Sequence, residues 1–188
     1  AGYKVMQNQA DCSFKAFAAN RLQADDDAFS AIDFDTRDRG ILIHKVLQIF
    51  WQKHKTRSAL QNLKSSNTLI TELENATRIS MKTTSRRIGK QSYFKKMEQD
   101  RTVSLLIRWM DQELLRPKFE VKHVEKNEVI IIKNLMLNLR IDRIDTTPDG
   151  KNILIDYKTG SINSNSWFKY RIQDPQLPLY AIKTSPNA

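Results

Sequence analysis

The chain is poor in the residues that staple, break or loosen a fold. Its 188 residues include one cysteine, five glycines and five prolines. A lone cysteine excludes an internal disulfide and any all-cysteine metal centre built from this chain alone. So little Gly and Pro, beside 40% hydrophobic and 28% charged residues, excludes collagen-like, mucin-like and disordered chains. The longest apolar run, 41–51, is interrupted by His44, Lys45 and Gln48, so no segment reads as a bilayer span. No secretory leader is visible, and a start at Ala1-Gly2 without Met reads as an excised fragment or processed chain. These absences point to one soluble, cytoplasmic domain of 1–188.

What is abundant is positive charge. Thirty-one Lys and Arg against 21 Asp and Glu give a formal net charge of +10 and a pI near 9.7. The excess lies between 41 and 125, whereas 1–40 is slightly acidic. Its densest stretch runs from Arg78 to Arg101 and includes Lys82, Arg86, Arg87, Lys90, Lys95 and Lys96. On one continuous helix, Lys82, Arg86 and Lys90 would stack at i, i+4 spacing. Such a stripe repels itself unless an anion lies on it, and a phosphate backbone is the commonest such partner. These six cations are therefore the candidate nucleic-acid-binding residues. The bland alternative is a solvated helix face.

Periodicity divides the chain into three parts. Residues 1–36 form a helical lead-in, with Phe14, Phe17, Ala18 and Leu22 at helical spacing and an acidic loop from Asp25 to Asp38. The loop lacks the Gly and terminal Glu of an EF-hand. Residues 37–117 are helical and basic: a helix from about Arg37 to Lys55, shorter helices over 57–77, and a long one from Ser85 to Leu115 that Pro117 ends. Residues 118–188 change to alternation. Phe119–Val124, Val129–Ile144 and Ile153–Tyr157 read as strands, followed by a loop and a helix through Tyr180. This is an α/β (α+β) layered domain. Gly89-Lys90 lacks the remainder of a Walker A loop.

The segment Thr146-Thr-Pro-Asp-Gly150 carries strong turn signals. A reversal centred on Asp149 sets Asp142 opposite Asp156, with β-carbons about 4.5–5.5 Å apart. Lys158 projects from the same face as Asp156. Two facing carboxylates repel, and a hard divalent cation such as Mg²⁺ relieves the cost while binding phosphate oxygens. An ordinary ion-pair cluster with Lys158 and Arg140 is the alternative. Asp145, three residues after Asp142, falls on the other face and pairs with a cation such as Arg143.

Four motifs follow in order: Gly40-Ile-Leu-Ile-His44, Ile141-Asp142-Arg-Ile-Asp145, Asp156-Tyr-Lys-Thr-Gly160 and Gln176-Leu-Pro-Leu-Tyr180. Together they resemble the RecB-family nuclease domain of the PD-(D/E)XK superfamily. The resemblance implies a restriction-endonuclease-like core, a mixed central sheet with an antiparallel meander flanked by helices. It implies His44, Asp142, Asp156 and the Tyr157 carbonyl as ligands of Mg²⁺ or Mn²⁺. It implies Asp142, Asp156 and Lys158 as catalytic groups, supported by Gln176 and Tyr180. The implied reaction is hydrolysis of a DNA phosphodiester by a metal-activated water in repair or recombination, as an exonuclease ahead of an endonuclease. A helicase-like region or subunit is an implied partner. Leu139 stands where the family often has Gly.

Cys12-Ser-Phe-Lys-Ala-Phe resembles the Cys-Pro-Phe start of an AddB-like branch. There the cysteine joins three others around a [4Fe–4S] cluster, which here would need cysteines outside this chain. Alternatively, Cys12 is a small buried apolar residue. Taken alone, His44 reads as a packed histidine, Tyr180 as core and Gln176 as surface; His54 and His123 read as structural. A non-catalytic DNA-binding module of the same fold is the alternative function, and an interaction domain for RNA or an acidic protein is a third.

Overall fold

The computed structural model describes residues 2–24, 36–84, 92–160, 164–168, 170–172 and 175–184. Seven α-helices and three strands lie among these residues: α1 (Lys4–Asp11), α2 (Ser13–Arg21), α3 (Thr36–Lys53), α4 (Arg57–Ser65), α5 (Leu69–Thr84), α6 (Ser92–Leu115), β1 (Glu120–Ile132), β2 (Leu135–Thr146), β3 (Asn152–Ile155) and α7 (Gln176–Thr184). The strands form an antiparallel meander in the order β1-β2-β3. The architecture is α+β, consistent with a restriction-endonuclease-like fold.

Helix α3 follows its apolar spacing. Leu42, Val46, Leu47, Phe50 and Trp51 are buried, and they repeat at the three- and four-residue intervals that make one helical face. Asp38, the last of the acidic segment, belongs to this helix and is buried. The Thr56 hydroxyl caps α4, accepting from the Ala59 N–H at 3.0 Å. Leu60, Leu73, Leu106 and Met110 complete a core with α3, Phe119 and Val121. A second cluster joins Ile130, Leu137, Leu139, Ile141 and Ile144 to Leu179 and Tyr180. Between the two, β2 is buried on five consecutive residues, Ile141–Asp145, because both of its faces are covered.

Two sequence expectations shift. The strand break expected between Val124 and Val129 is absent, for β1 runs through it. The chain reverses instead at Lys133-Asn134, where Lys133 has φ 53°, the left-handed conformation that a two-residue hairpin needs. Helix α2 forms as expected, but Phe14, Phe17 and Leu22 are 72%, 51% and 61% exposed, and Ala16 alone is buried. Its spacing marks a helix that the described fold leaves uncovered. No helix among the described residues is long and apolar enough to cross a membrane.

Candidate functional site

The β2–β3 pairing sets Arg143 opposite Ile155 and Thr146 opposite Asn152. This is the register expected from a reversal centred on Asp149, and it brings Asp142 and Asp156 level. Asp142 is buried, and its Oδ2 accepts the Tyr157 N–H at 2.8 Å. That bond continues the strand pair through a side chain, just where β3 ends.

His44 reaches the sheet from the middle of α3. Its Nε2 lies 2.8 Å from the Tyr157 carbonyl oxygen. A carbonyl only accepts, so Nε2 carries the proton and Nδ1 is left to face Asp142 Oδ1 at 3.4 Å. Burial opposes charge on this ring, but the hydrogen bond and charge of Asp142, with smaller help from Tyr157 and Glu125, raise its pKa overall. Neutral, Nδ1 offers a lone pair; protonated, it pairs with Asp142. The glycine one turn earlier has a steric reason, since a Cβ on Gly40 would stand 3.2 Å from Thr159 Oγ1. Helix α3 thereby packs closely on the segment that carries Lys158.

Gln176 and Tyr180, four apart on α7, lock the opposite side. Gln176 Nε2 donates to Asp156 Oδ1 at 2.5 Å and to the Tyr180 hydroxyl at 2.9 Å, while Lys158 Nζ donates to Gln176 Oε1 at 2.6 Å. The Tyr180 hydroxyl donates to the Arg140 carbonyl, so a fully buried phenol ties α7 to β2. Burial dominates the upward shift of its pKa. Asp156 Oδ2 is buried and sits 2.8 Å from Lys158 Nζ as an ion pair. Burial first, then the charge of Asp142, raises the Asp156 pKa against the opposing pull of Lys158 and His44. His44, Asp142, Asp156, Lys158, Gln176 and Tyr180 all line one cavity of about 1040 Å³.

The structure adds a carboxylate that sequence reasoning missed. The pairs Val124–Arg143 and Lys126–Ile141 bracket Glu125 opposite Asp142. Glu125 adopts φ 51°, a conformation that costs a non-glycine residue about 1–3 kcal/mol and persists where its surroundings impose it. Ligand atoms of His44, Glu125 and Asp142 lie within 4.8 Å of one another. Burial raises the Glu125 pKa, with Asp142 adding to the shift and Arg140, 2.9 Å away, opposing it. The signal was present: a reversal at Lys133-Asn134 sets 125 opposite 142. It was hidden because 129–144 read as one strand.

An imidazole nitrogen and carboxylate oxygens converging within 4.8 Å are a donor set that fits a divalent cation. The Tyr157 carbonyl, implied as a ligand, is engaged by His44. Asp145 faces away from this centre, as expected, and meets Arg143 through two bonds of 2.6 and 2.7 Å. That pair extends into a buried network with Glu113, Arg116 and the Tyr157 hydroxyl.

The basic stretch is only partly described. Lys82 ends up near the close of α5 and Lys95 and Lys96 near the start of α6, and Lys96 pairs with Asp100 at 2.7 Å. Arg86, Arg87 and Lys90 lie outside the described residues. Cys12 is exposed, which overturns its reading as a buried apolar residue: it stands just before α2, outside both cores. Backbone N–H groups of Lys15 and Phe14 lower its pKa, as the open end of a helix does. His54, read as structural, follows the last residue of α3 and pairs with Glu72 on α5 at 3.0 Å.

No curated protein matches the chain. Among protein families, the PD-(D/E)XK nuclease superfamily matches residues 4–187. That span takes in both cores, the meander and every motif described above, and this chain belongs to the PD-(D/E)XK nuclease superfamily.

Proposed function

We propose that the chain is a Mg²⁺- or Mn²⁺-dependent deoxyribonuclease of RecB type, acting in the cytoplasm on DNA ends during repair or recombination. The observation that carries this reading is the convergence of His44, Asp142, Asp156 and Lys158 on one cavity. A bound divalent cation would supply charge for the phosphoryl oxygens and acidity for a water molecule. His44 Nδ1, Glu125, Asp142 and Asp156 would hold it. Lys158, fixed between Asp156 and Gln176 Oε1, directs an ammonium at the phosphate, where it balances charge that builds as the bond breaks. Hydrolysis joins a water oxygen to phosphorus and breaks one P–O ester bond, leaving a phosphomonoester and a hydroxyl. Gln176 and Tyr180 are positioning residues. Lys82, Arg86, Arg87, Lys90, Lys95 and Lys96 are assigned to the DNA backbone, and their contribution weakens with salt.

The test uses linear single- and double-stranded DNA with Mg²⁺ or Mn²⁺, against EDTA and the variants Asp156→Ala and Lys158→Ala. Cleavage confined to the metal-supplied wild type supports the assignment. Cleavage that persists in either variant refutes it, and binding without cleavage by the wild type favours a non-catalytic DNA-binding module.

A further inference from the structure

A second cavity, of about 690 Å³, meets the first along Tyr157–Gly160, so that Lys158 stands on the wall of both. Its chemistry differs from that of the carboxylate cavity. Arg37 and Arg39 open α3 on one side, and Arg101, Leu105 and Trp109 line α6 on the other. The last three recur every four residues, so a cation and two large apolar side chains share one helical stripe. Leu105 is 40% exposed and Trp109 42%. An indole left open to solvent in a cavity that arginines also line is an unusual use of a residue that buries well. An edge-on contact with the Tyr157 ring, centroids 5.9 Å apart, orients Trp109. Among the lining residues Glu98 is the one carboxylate, 3.1 Å from Arg39 Nε and 3.9 Å from Arg101 Nη1. Three arginines against one acid leave the cavity positive.

We propose that this cavity binds one unpaired nucleotide of a DNA strand, adjacent to the phosphodiester held at the carboxylates. Its base stacks on Trp109 and Leu105, and its phosphate lies on Arg37 and Arg101. The inference rests on the nuclease reading above and deepens it by naming the form of the substrate. An aromatic face takes any base, while arginines follow the backbone. The volume suits a ligand of nucleotide size. A base lodged between two helices gives up its pairing partner, so the site selects single strands or frayed ends.

The experiment measures binding in EDTA, where cleavage is blocked, to a twelve-nucleotide thymidine oligomer and to an all-abasic oligomer of equal length. Trp109→Ala should weaken the thymidine complex about 5- to 150-fold, the range that loss of one base–aromatic stack gives, and leave the abasic complex within about twofold. Trp109→Phe should restore most of the affinity, which a change that merely disturbed the fold would not. Unchanged thymidine binding, or equal losses on both oligomers, overturns the proposal. Metal-dependent cleavage by the wild type is assayed in parallel. Cleavage with a silent Trp109→Ala refutes the subsite alone, whereas a wild type that cleaves no DNA refutes the nuclease reading.

Discussion

Replacing Arg143 with Met should expose how much the fold behind the site depends on one buried cation. Arg143 is wholly buried. Its guanidinium lies 3.8 Å from the Trp51 ring centroid and 4.8 Å from that of Phe119. It donates twice to Asp145, once to Glu113 at 3.1 Å and once to the Tyr157 hydroxyl at 3.2 Å. Methionine fills much of the volume but strands two buried carboxylates, with Arg116 as their remaining cation at 2.6 Å from Glu113 and 2.8 Å from Asp145. Removing one partner of a buried ion pair costs about 3–5 kcal/mol. For a chain of this size each kcal/mol lowers Tm by roughly 2–4 °C, so the expected fall is roughly 6–20 °C. Thermal denaturation followed by far-ultraviolet circular dichroism measures the fall in Tm, and urea denaturation the loss in free energy. Arg143→Lys should recover only part of the loss, since an ammonium cannot reproduce the fork or the stacking on Trp51. Replacing Arg143, Asp145 and Glu113 together by apolar residues should recover more, because the one charge then left without these partners, Arg116, is partly exposed to solvent. A loss below about 1 kcal/mol for Arg143→Met, the scale of a surface pair, would refute the argument.

Two further outcomes follow from the site. Asp156 and Glu125 have raised pKa values, so their ionisation opposes folding and stability is lost as pH rises through the folded pKa of each. A divalent cation should offset that penalty: at a hundredfold excess over Kd it adds about 2.7 kcal/mol. The gain in Tm with Mn²⁺ should be larger at pH 7.5 than at pH 5, where His44 holds a proton the ion must displace; a pH-independent shift, or one retained in Asp142→Ala, would refute the site. Tyr180→Phe strips a donor from the Arg140 carbonyl and a partner from Gln176, and should cost about 1–3 kcal/mol. It should also lower kcat more than it raises KM, because the released Gln176 positions Asp156 and Lys158 rather than DNA; a change in KM alone would count against that role.

Short-range chemistry was legible before any fold was known. The apolar spacing of 42–51 specifies α3, the Pro-Asp-Gly turn at 148–150 specifies the β2–β3 register, and four-residue spacing puts Gln176 and Tyr180 on one helical face. Each depends on bonds or contacts within about a dozen residues, where backbone geometry leaves few choices. Glu125 reaches Asp142 only because the chain reverses at Lys133 and bends at φ 51°, a local strain that surrounding packing sustains. Nothing within α6 or the residues after it signals that Glu113 pairs with the buried Arg143 and with Arg116. The amphipathic spacing of 14–22 is legible in the sequence, yet Phe14, Phe17 and Leu22 stand exposed, since periodicity reports a stripe but not what covers it. The sequence by itself determined the elements and the residue types that carry the chemistry. Tertiary structure decided which charges meet, because contacts between distant segments depend on how whole layers pack and on what burial makes of each ionisable group.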